Sequence, residues 1–403
     1  MKLSEELLWR GFHAETSIKD PAELDKRAQK KFYFGADPSA DSLTIGNLAA
    51  LMMCACFVRH GYQPYLLAGG ATGQIGDPKD TGERELKPLE EVERNKQAIA
   101  RQMANIVRSP ELVMVDNLDW FREIKYLDFL REIGKAFSMT QLLDRQFVQA
   151  RIGEGGSGIS YAEFSYTLIQ GYDFLHLYRT YGIDLQLCGA DQYGNCSSGI
   201  HLIRRLEGAT ADAWSTPLVI DPVTGRKFGK SEGNAIWLDA GKTSIFDFYQ
   251  FWLNQPDEAV EYLLKIYTLL MPEEVEAVMK EQAEHPERRA AQRALARGAT
   301  EVVHGREKAE AVEALSARLF GGDLAELTAD EIGEFAEFLA TVPQGTGLME
   351  ALVATGLTSS KSEARKLAAA GAISVNGVKV REDLELQQVA LLKRGKNKFA
   401  VVK

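Results

Sequence analysis

The chain has 403 residues, 45% of them hydrophobic and 26% charged, with a formal net charge of −10. That length carries two to four domains at roughly 100–200 residues each, and the composition excludes a disordered or collagen-like chain. No run of about 18 apolar residues exists, which excludes a membrane span, and the amphipathic residues 1–10 contain no apolar signal core.

The first half alternates short apolar runs with helical patterns. Residues 31–36 (KFYFGA) predict a strand, and 41–59 a helix with Asp41 or Ser42 as its N-cap. Residues 63–68 (QPYLLA) predict a second strand that ends in Gly69-Gly70. A helix is expected over 83–107, a short strand over 112–116 and another over 184–188. A polar turn at 189–195 and a helix through Leu206 follow. Strands alternating with helices predict an α/β fold, a mostly parallel sheet with helices on both faces. Ligands of such folds bind beyond the carboxyl ends of the strands.

Beyond Gly233 the pattern changes. Residues 244–338 are largely helical, with Pro256, Pro272 and Pro286 placed to start or break helices. FGGD (320–323) and PQGTG (343–347) read as linkers. Two short helices are expected over 348–356 and 360–371. Strands 373–375 and 378–380 around Asn376-Gly377 then form a hairpin signal, since Asn-Gly supplies positive φ at both turn positions. Residues 345–403 hold ten Lys+Arg against five Asp+Glu, whereas the rest of the chain holds 37 against 52. A basic tail on an acidic body points to nucleic acid at one end.

Three constellations carry chemistry. In residues 35–48, Gly35 permits close ligand approach and Gly46 keeps the first helical turn bare. Thr44 and Asn47, three apart, face one ligand at a helix N-terminus suited to phosphate. An empty loop and cap is the alternative. In residues 225–233, Lys227 and Lys230 flank glycines and lead into Ser231. That arrangement delivers positive charge to a polyphosphate, or it is a solvated basic loop. In residues 164–175, Tyr166, Gln170 and Asp173 share one helix face among apolar neighbours. They form either a satisfied core network or the wall of a polar-ligand pocket. Asp191 and Gln192 follow a strand, where α/β folds bind ligands. None of the six histidines lies in these motifs, and no metal-ligand cluster has recognisable spacing. Cys54, Cys56, Cys188 and Cys196 read as reduced thiols of a cytoplasmic protein.

These segments, together with GGATGQIGDP (69–78) and NLDW (117–120), resemble in order and nearly end to end the bacterial tyrosyl-tRNA synthetases, a class I aminoacyl-tRNA synthetase family. The resemblance implies a Rossmann-like catalytic domain over 1–225. A lysine-bearing mobile loop and a helical anticodon-recognition domain would occupy 226–320, a linker 321–344, and a basic α+β RNA-binding domain 345–403. It implies L-tyrosine, ATP with Mg2+ on its phosphates, and tRNA(Tyr) as substrates, a homodimer, and no protein metal site or membrane contact. The apolar stretch 118–137, with Trp120, is an interface candidate that core packing explains equally well.

By the same resemblance, Tyr33 and Asp173 hold the tyrosine hydroxyl. Asp77, Tyr166 and Gln170 surround its ammonium group, and Gln186 and Gln192 lie nearer the ring and carboxylate. Gly35, Asp37, Gly46, Gly189 and Asp191 take the adenylate. Thr44, Asn47, Arg84, Lys227, Lys230 and Ser231 handle the phosphates, with Lys79 beside Arg84. Discrimination would rest on Tyr33 and Asp173. This family is itself the standard instance of hydroxyl-based selection, rejecting phenylalanine by about 10⁵.

The chain departs from the family at several positions. Thr44-Ile45-Gly46-Asn47, a string shared with the sister tryptophanyl enzymes, replaces the usual His-x-Gly-His. Ala36, Ala190 and Tyr193 replace the usual Phe, Ser and Trp. Three rival readings follow: a tryptophanyl enzyme, a paralogue for a modified tyrosine or without activity, and a non-catalytic RNA-binding scaffold.

Overall fold

The computed structural model describes residues 1–78, 85–143, 146–152, 157–220, 225, 228, 230–231 and 234–403. The chain forms two compact units. The first comprises Met1–Leu238 and Pro256–Lys280, the second Asp239–Gln255 and Glu281–Lys403.

The first unit is built on five parallel strands: β1 (Lys31–Ala36), β2 (Gln63–Ala68), β3 (Val113–Val115), β4 (Leu185–Gly189) and β5 (Asp212–Thr216). Their order is β3-β2-β1-β4-β5. The chain thus winds outward from β1 in one direction and from β4 in the other, which leaves a crevice at their carboxyl ends. Register places Tyr33 of β1 between Tyr65 of β2 and Gln186 of β4. The central strands are apolar along their length, as burial on both faces requires.

Four helices matter to the site: α1 (Ile45–Arg59), α2 (Leu89–Val107), α3 (Tyr161–Tyr181) and α4 (Tyr193–Glu207). The first helix starts later than the sequence suggested, and its cap is Thr44 rather than Asp41 or Ser42. The reason is local. Asn47 folds back, so that its Oδ1 accepts from the Thr44 N–H and the Thr44 hydroxyl, each at 3.0 Å. The second begins at Leu89, because Pro88 suits the residue before a helix better than its interior. The fourth begins at Tyr193, inside the expected polar turn. Helices α3 and α4 pack closely through Gly199, where an added Cβ would stand 2.6 Å from the Phe174 Cβ.

The N-terminal helix Leu3–Arg10 is pinned by a buried ion pair. Arg10 Nε donates to Glu6 at 2.7 Å. Its two terminal nitrogens donate to the carbonyls of Lys265, Thr268 and Leu270 at 2.6–2.9 Å. These carbonyls close helix Asp257–Tyr267. Pro256–Lys280 therefore belongs to the first unit, although the sequence assigned it to the helical domain.

In the second unit, α5 (Ile245–Leu253), α6 (Ala290–His304) and α7 (Arg306–Gly321) pack together. The expected linker 321–344 is not an open connector. It holds α8 (Ala329–Phe335) and β6 (Ala340–Val342). That strand pairs in parallel with β10 (Lys398–Val402), at the edge of the terminal sheet. The sheet continues through β9 (Ala390–Arg394), β7 (Ile373–Val375) and β8 (Val378–Lys379). The hairpin forms as expected, with Asn376 at φ 48° and Gly377 at φ 78°. Helices α9 (Leu348–Ala354) and α10 (Lys361–Ala369) cover it over a core that includes Leu352, Ala364, Ile373 and Leu392. Among the described residues no helix is long and apolar enough to cross a membrane.

Candidate active site

A cavity of about 370 Å³ opens at the carboxyl ends of β1 and β4. Tyr33, Gly35 and Asp37 reach it from β1, and Thr44, Gly46 and Asn47 from the start of α1. Tyr166, Gln170 and Asp173 line it from one face of α3. Gln186 and Gly189 enter from β4, Asp191 and Gln192 from the turn after it, and Asp77 from the far side. Residues scattered over 160 positions of sequence thus meet in one crevice. Arg84, Lys227 and Lys79 lie outside the described residues. The backbones of Lys230 and Ser231 form a two-residue antiparallel ladder with Asn234 and Ala235.

The inner end is apolar with a few buried polar groups. Asp173 accepts from Trp120 Nε1 at 2.9 Å and from Asn117 Nδ2 at 3.1 Å. Burial holds its carboxyl well above the usual carboxylate range. Those two hydrogen bonds oppose the shift, and the charges of Asp37 and Asp116 add to it. Among the described residues, the Tyr33 hydroxyl is buried with no hydrogen bond of ordinary geometry, as are Gln170 Oε1 and Gln186 Oε1. Three orphaned polar atoms around one cavity are costly in an empty core and useful against a polar ligand. Burial, more than nearby charge, pushes the Tyr33 phenol upward, so it stays a neutral donor.

The middle of the site is a carboxylate network. Tyr166 donates its hydroxyl to Asp37 at 2.7 Å. Asp77 accepts from Gln192 Nε2 at 2.9 Å and from Asn195 Nδ2 at 3.5 Å, and Asn195 also donates to Gln192 at 3.1 Å. The polar stripe of α3 is therefore both a hydrogen-bonded network and a pocket wall. Two acidic groups beside an open cavity suit a cationic ligand group.

The outer end is the start of α1. Thr44 has spent its hydroxyl hydrogen on Asn47, so the Asn47 amide nitrogen is the side-chain donor left for a ligand. Among the described residues beyond its own chain neighbours and helix backbone, an added Cβ at Gly46 would come nearest the Thr44 Oγ1 at 3.5 Å, and one at Gly35 nearest a Leu67 methyl at 3.6 Å. Packing does not demand glycine at either position, and its effect is to leave the cavity wall bare.

Several residues escaped sequence reasoning. Asn117 stands in the sequence reading only inside a resembling string, and Trp120 there and in the apolar stretch 118–137, yet both donate to Asp173. Trp120 goes to the core rather than to a surface: it is buried and stacks on His176 at 4.4 Å. Asn117 Oδ1 also accepts the Ala71 N–H at 2.7 Å, and Asp116 accepts the Gly70 N–H at 3.0 Å. Their position just after a parallel strand was the available signal. Asn195, at the end of the expected polar turn 189–195, is joined to Thr167 at 3.1 Å, and Thr167 had no such mark.

The description "tRNA synthetases class I (W and Y)" covers a family model that matches residues 25–321. A second, "Tyrosine–tRNA ligase SYY-like C-terminal domain", matches 336–403. The tyrosine–tRNA ligase of Geobacillus kaustophilus is 41% identical over 421 residues, covering all of both chains. That of Leifsonia xyli is 43% identical, over 99% of this chain and 93% of the relative. The chain belongs to the tyrosine–tRNA ligase family. A C-terminally truncated mitochondrial tyrosyl-tRNA synthetase from Aspergillus nidulans is similar in structure, with a TM-score of 0.71 and 29% identity over 79% of this chain and 94% of that one. The tyrosyl-tRNA synthetase of Archaeoglobus fulgidus, at a TM-score of 0.57 and 14% identity over 78% of this chain and all of that one, shares the fold. Family membership makes ATP a substrate.

Proposed function

We propose that the chain activates L-tyrosine with Mg-ATP and transfers it to tRNA(Tyr). The observation that carries this reading is the buried Tyr33 hydroxyl, without a hydrogen bond of ordinary geometry among the described residues, in the same cavity as the pinned Asp173 carboxyl. A phenolic hydroxyl placed between them gains partners on both sides, and an analogue lacking it leaves both groups bare.

Asp77, Tyr166 and Gln170 then face the ammonium group, Gln186 the ring, and Gln192 the carboxylate. One carboxylate oxygen attacks the α-phosphorus of ATP. The bond from that phosphorus to the bridging oxygen breaks, and pyrophosphate leaves with the electron pair. A hydroxyl of the terminal adenosine of tRNA next attacks the carbonyl carbon and AMP departs. The substrate brings its own nucleophile, so the protein positions groups and stabilises charge. Asp37, Gly189 and Asp191 hold the adenylate. The α1 N-terminus, the Asn47 amide, Lys227, Lys230, Ser231 and Arg84 meet the phosphates, with Mg2+ as part of the nucleotide substrate.

The exposed α10 residues Arg365 and Lys366 suit an RNA backbone. Tyr126, Leu127 and Tyr161 expose 62%, 74% and 62% of their surface, which suits a homodimer contact. Four buried free thiols accord with a reducing cytoplasm.

The test is amino-acid-dependent ATP–pyrophosphate exchange with tyrosine, phenylalanine and tryptophan in parallel. Exchange with tyrosine alone is expected. Exchange with tryptophan overturns the pocket assignment, and no exchange favours the scaffold.

A further inference from the structure

Tyr267 touches both phosphate-handling segments without belonging to either. It closes helix Asp257–Tyr267 and is fully buried. Its hydroxyl donates to the Ile45 carbonyl at 3.1 Å, and Ile45 is the residue between Thr44 and Gly46. Its ring stacks on Phe228, with centroids 5.9 Å apart and planes at 29°. Phe228 stands between Lys227 and Lys230 in sequence and lines the cavity. Its N–H donates to the Val219 carbonyl at 2.9 Å.

The far side of the lysine-bearing segment is tied to the start of α1 by backbone hydrogen bonds. The Ile45 N–H donates to the Ile236 carbonyl at 3.1 Å, and the Leu238 N–H to the Leu43 carbonyl at 2.9 Å. Thr44 lies opposite Trp237 in an antiparallel bridge. One flank is thus fixed to the phosphate-facing turn directly, and the Phe228 flank reaches the same turn through Tyr267.

We propose that Tyr267 is a positioning residue for the activation step, holding Phe228 in register with the Thr44–Asn47 turn. This rests on the function proposed above. The lysines and the helix start must converge on one polyphosphate, and an error of about 1 Å between such groups costs up to about 10²-fold in rate. Tyr33 and Asp173, at the other end of the cavity, do not depend on this link. The effect therefore falls on turnover rather than on tyrosine binding.

Pyrophosphate exchange is measured for wild type, Tyr267→Phe, Tyr267→Leu, Phe228→Leu and the double leucine variant, with a thermal melt of each. Tyr267→Phe keeps the stack and loses the carbonyl bond. Its kcat is expected to fall about tenfold with tyrosine KM unchanged. Each leucine variant falls further, and the double variant falls no more than the worse single, because both remove one stack. Wild-type rate in Tyr267→Phe overturns the proposal. So do additive losses in the double variant, or a kcat that falls only in step with Tm and tyrosine KM. Should Tyr267→Leu not fold, an unchanged kcat in Phe228→Leu overturns it from the other side of the stack. A wild type without tyrosine-dependent exchange sinks the functional reading, and this proposal with it. A wild type that exchanges beside a Tyr267→Phe of equal rate sinks the proposal alone.

Discussion

Asp173 is a carboxyl kept where carboxylates are unstable. Its folded-state pKa is raised, so the stability it allows is greatest below the unfolded value near 4 and is lost as pH climbs through the folded one. Asp173→Asn cannot ionise and escapes that loss. At pH 8 the unliganded variant is expected to melt several degrees above wild type, with the gap closing near pH 4. The same change should lower kcat/KM for tyrosine by about 10² and leave phenylalanine nearly unaffected. Calorimetry at the two pH values and exchange with both amino acids test the pair of effects, and a variant less stable at pH 8 refutes the first. The sequence marked Asp173 through its stripe with Tyr166 and Gln170. It did not mark Trp120 or Asn117 as its partners, because nothing local to residues 117–120 says which distant carboxyl their donors will meet.

At the scale of elements, the start of α1, proposed above to face the phosphates, carries no titratable side chain at Thr44 or Asn47. Thr44 and Asn47 keep their donor pattern across the physiological range, so this position contributes no limb to a pH–rate profile between about pH 6 and 8. Asn47→His is expected to add one near pH 6.5, seen as a ratio of variant to wild-type exchange rates that bends there. A ratio flat over that range contradicts the assignment. The N-terminal helix carries the opposite case. Burial pushes the Glu6 carboxyl up, but hydrogen bonds from His60 and Arg10, with the charges of Arg10 and Arg59, outweigh it and hold the pKa low. Glu6 therefore stabilises the fold above the unfolded carboxylate value, and that contribution fades as pH falls through the folded one. Glu6→Ala strands a buried guanidinium and should cost about 3–5 kcal/mol in urea unfolding at pH 7. A loss under about 1 kcal/mol would show that the cluster is incidental.

Strands β1 and β2 were legible to the residue, since the apolar run of β1 lies between Lys30-Lys31 and Asp37-Pro38 and that of β2 stops at Gly69-Gly70. Boundaries slipped where one side chain decides, as Asn47 does for Thr44 and Pro88 does for α2. The strand Ala340–Val342 was hidden because its partner is the last strand of the chain, and long-range pairing leaves no local trace.

At the scale of the whole molecule, charge is unevenly divided between a basic stretch, residues 345–403, and an acidic remainder. On the function proposed above, the division is that the basic stretch adds affinity for RNA which tyrosine activation does not need. Replacing exposed Arg365 and Lys366 with alanine should reduce tRNA charging about tenfold at moderate salt and flatten its salt dependence, with tyrosine-dependent exchange unchanged. Filter binding across a salt series and exchange in parallel read the two halves separately, and equal loss in both would refute the division.

The return of Pro256–Lys280 to the first unit also sets an order of events during synthesis. A nascent chain that has emerged only to Leu238 already holds all five strands of the parallel sheet. It lacks the three carbonyls that satisfy Arg10, and it lacks the tyrosine hydroxyl that braces Ile45. Residues 256–280, which supply these contacts, arrive after the chain has begun its second unit. A chain that stops after Leu238 and before Lys265 therefore has the whole parallel sheet but neither the carbonyls that hold Arg10 nor the hydroxyl that braces Ile45.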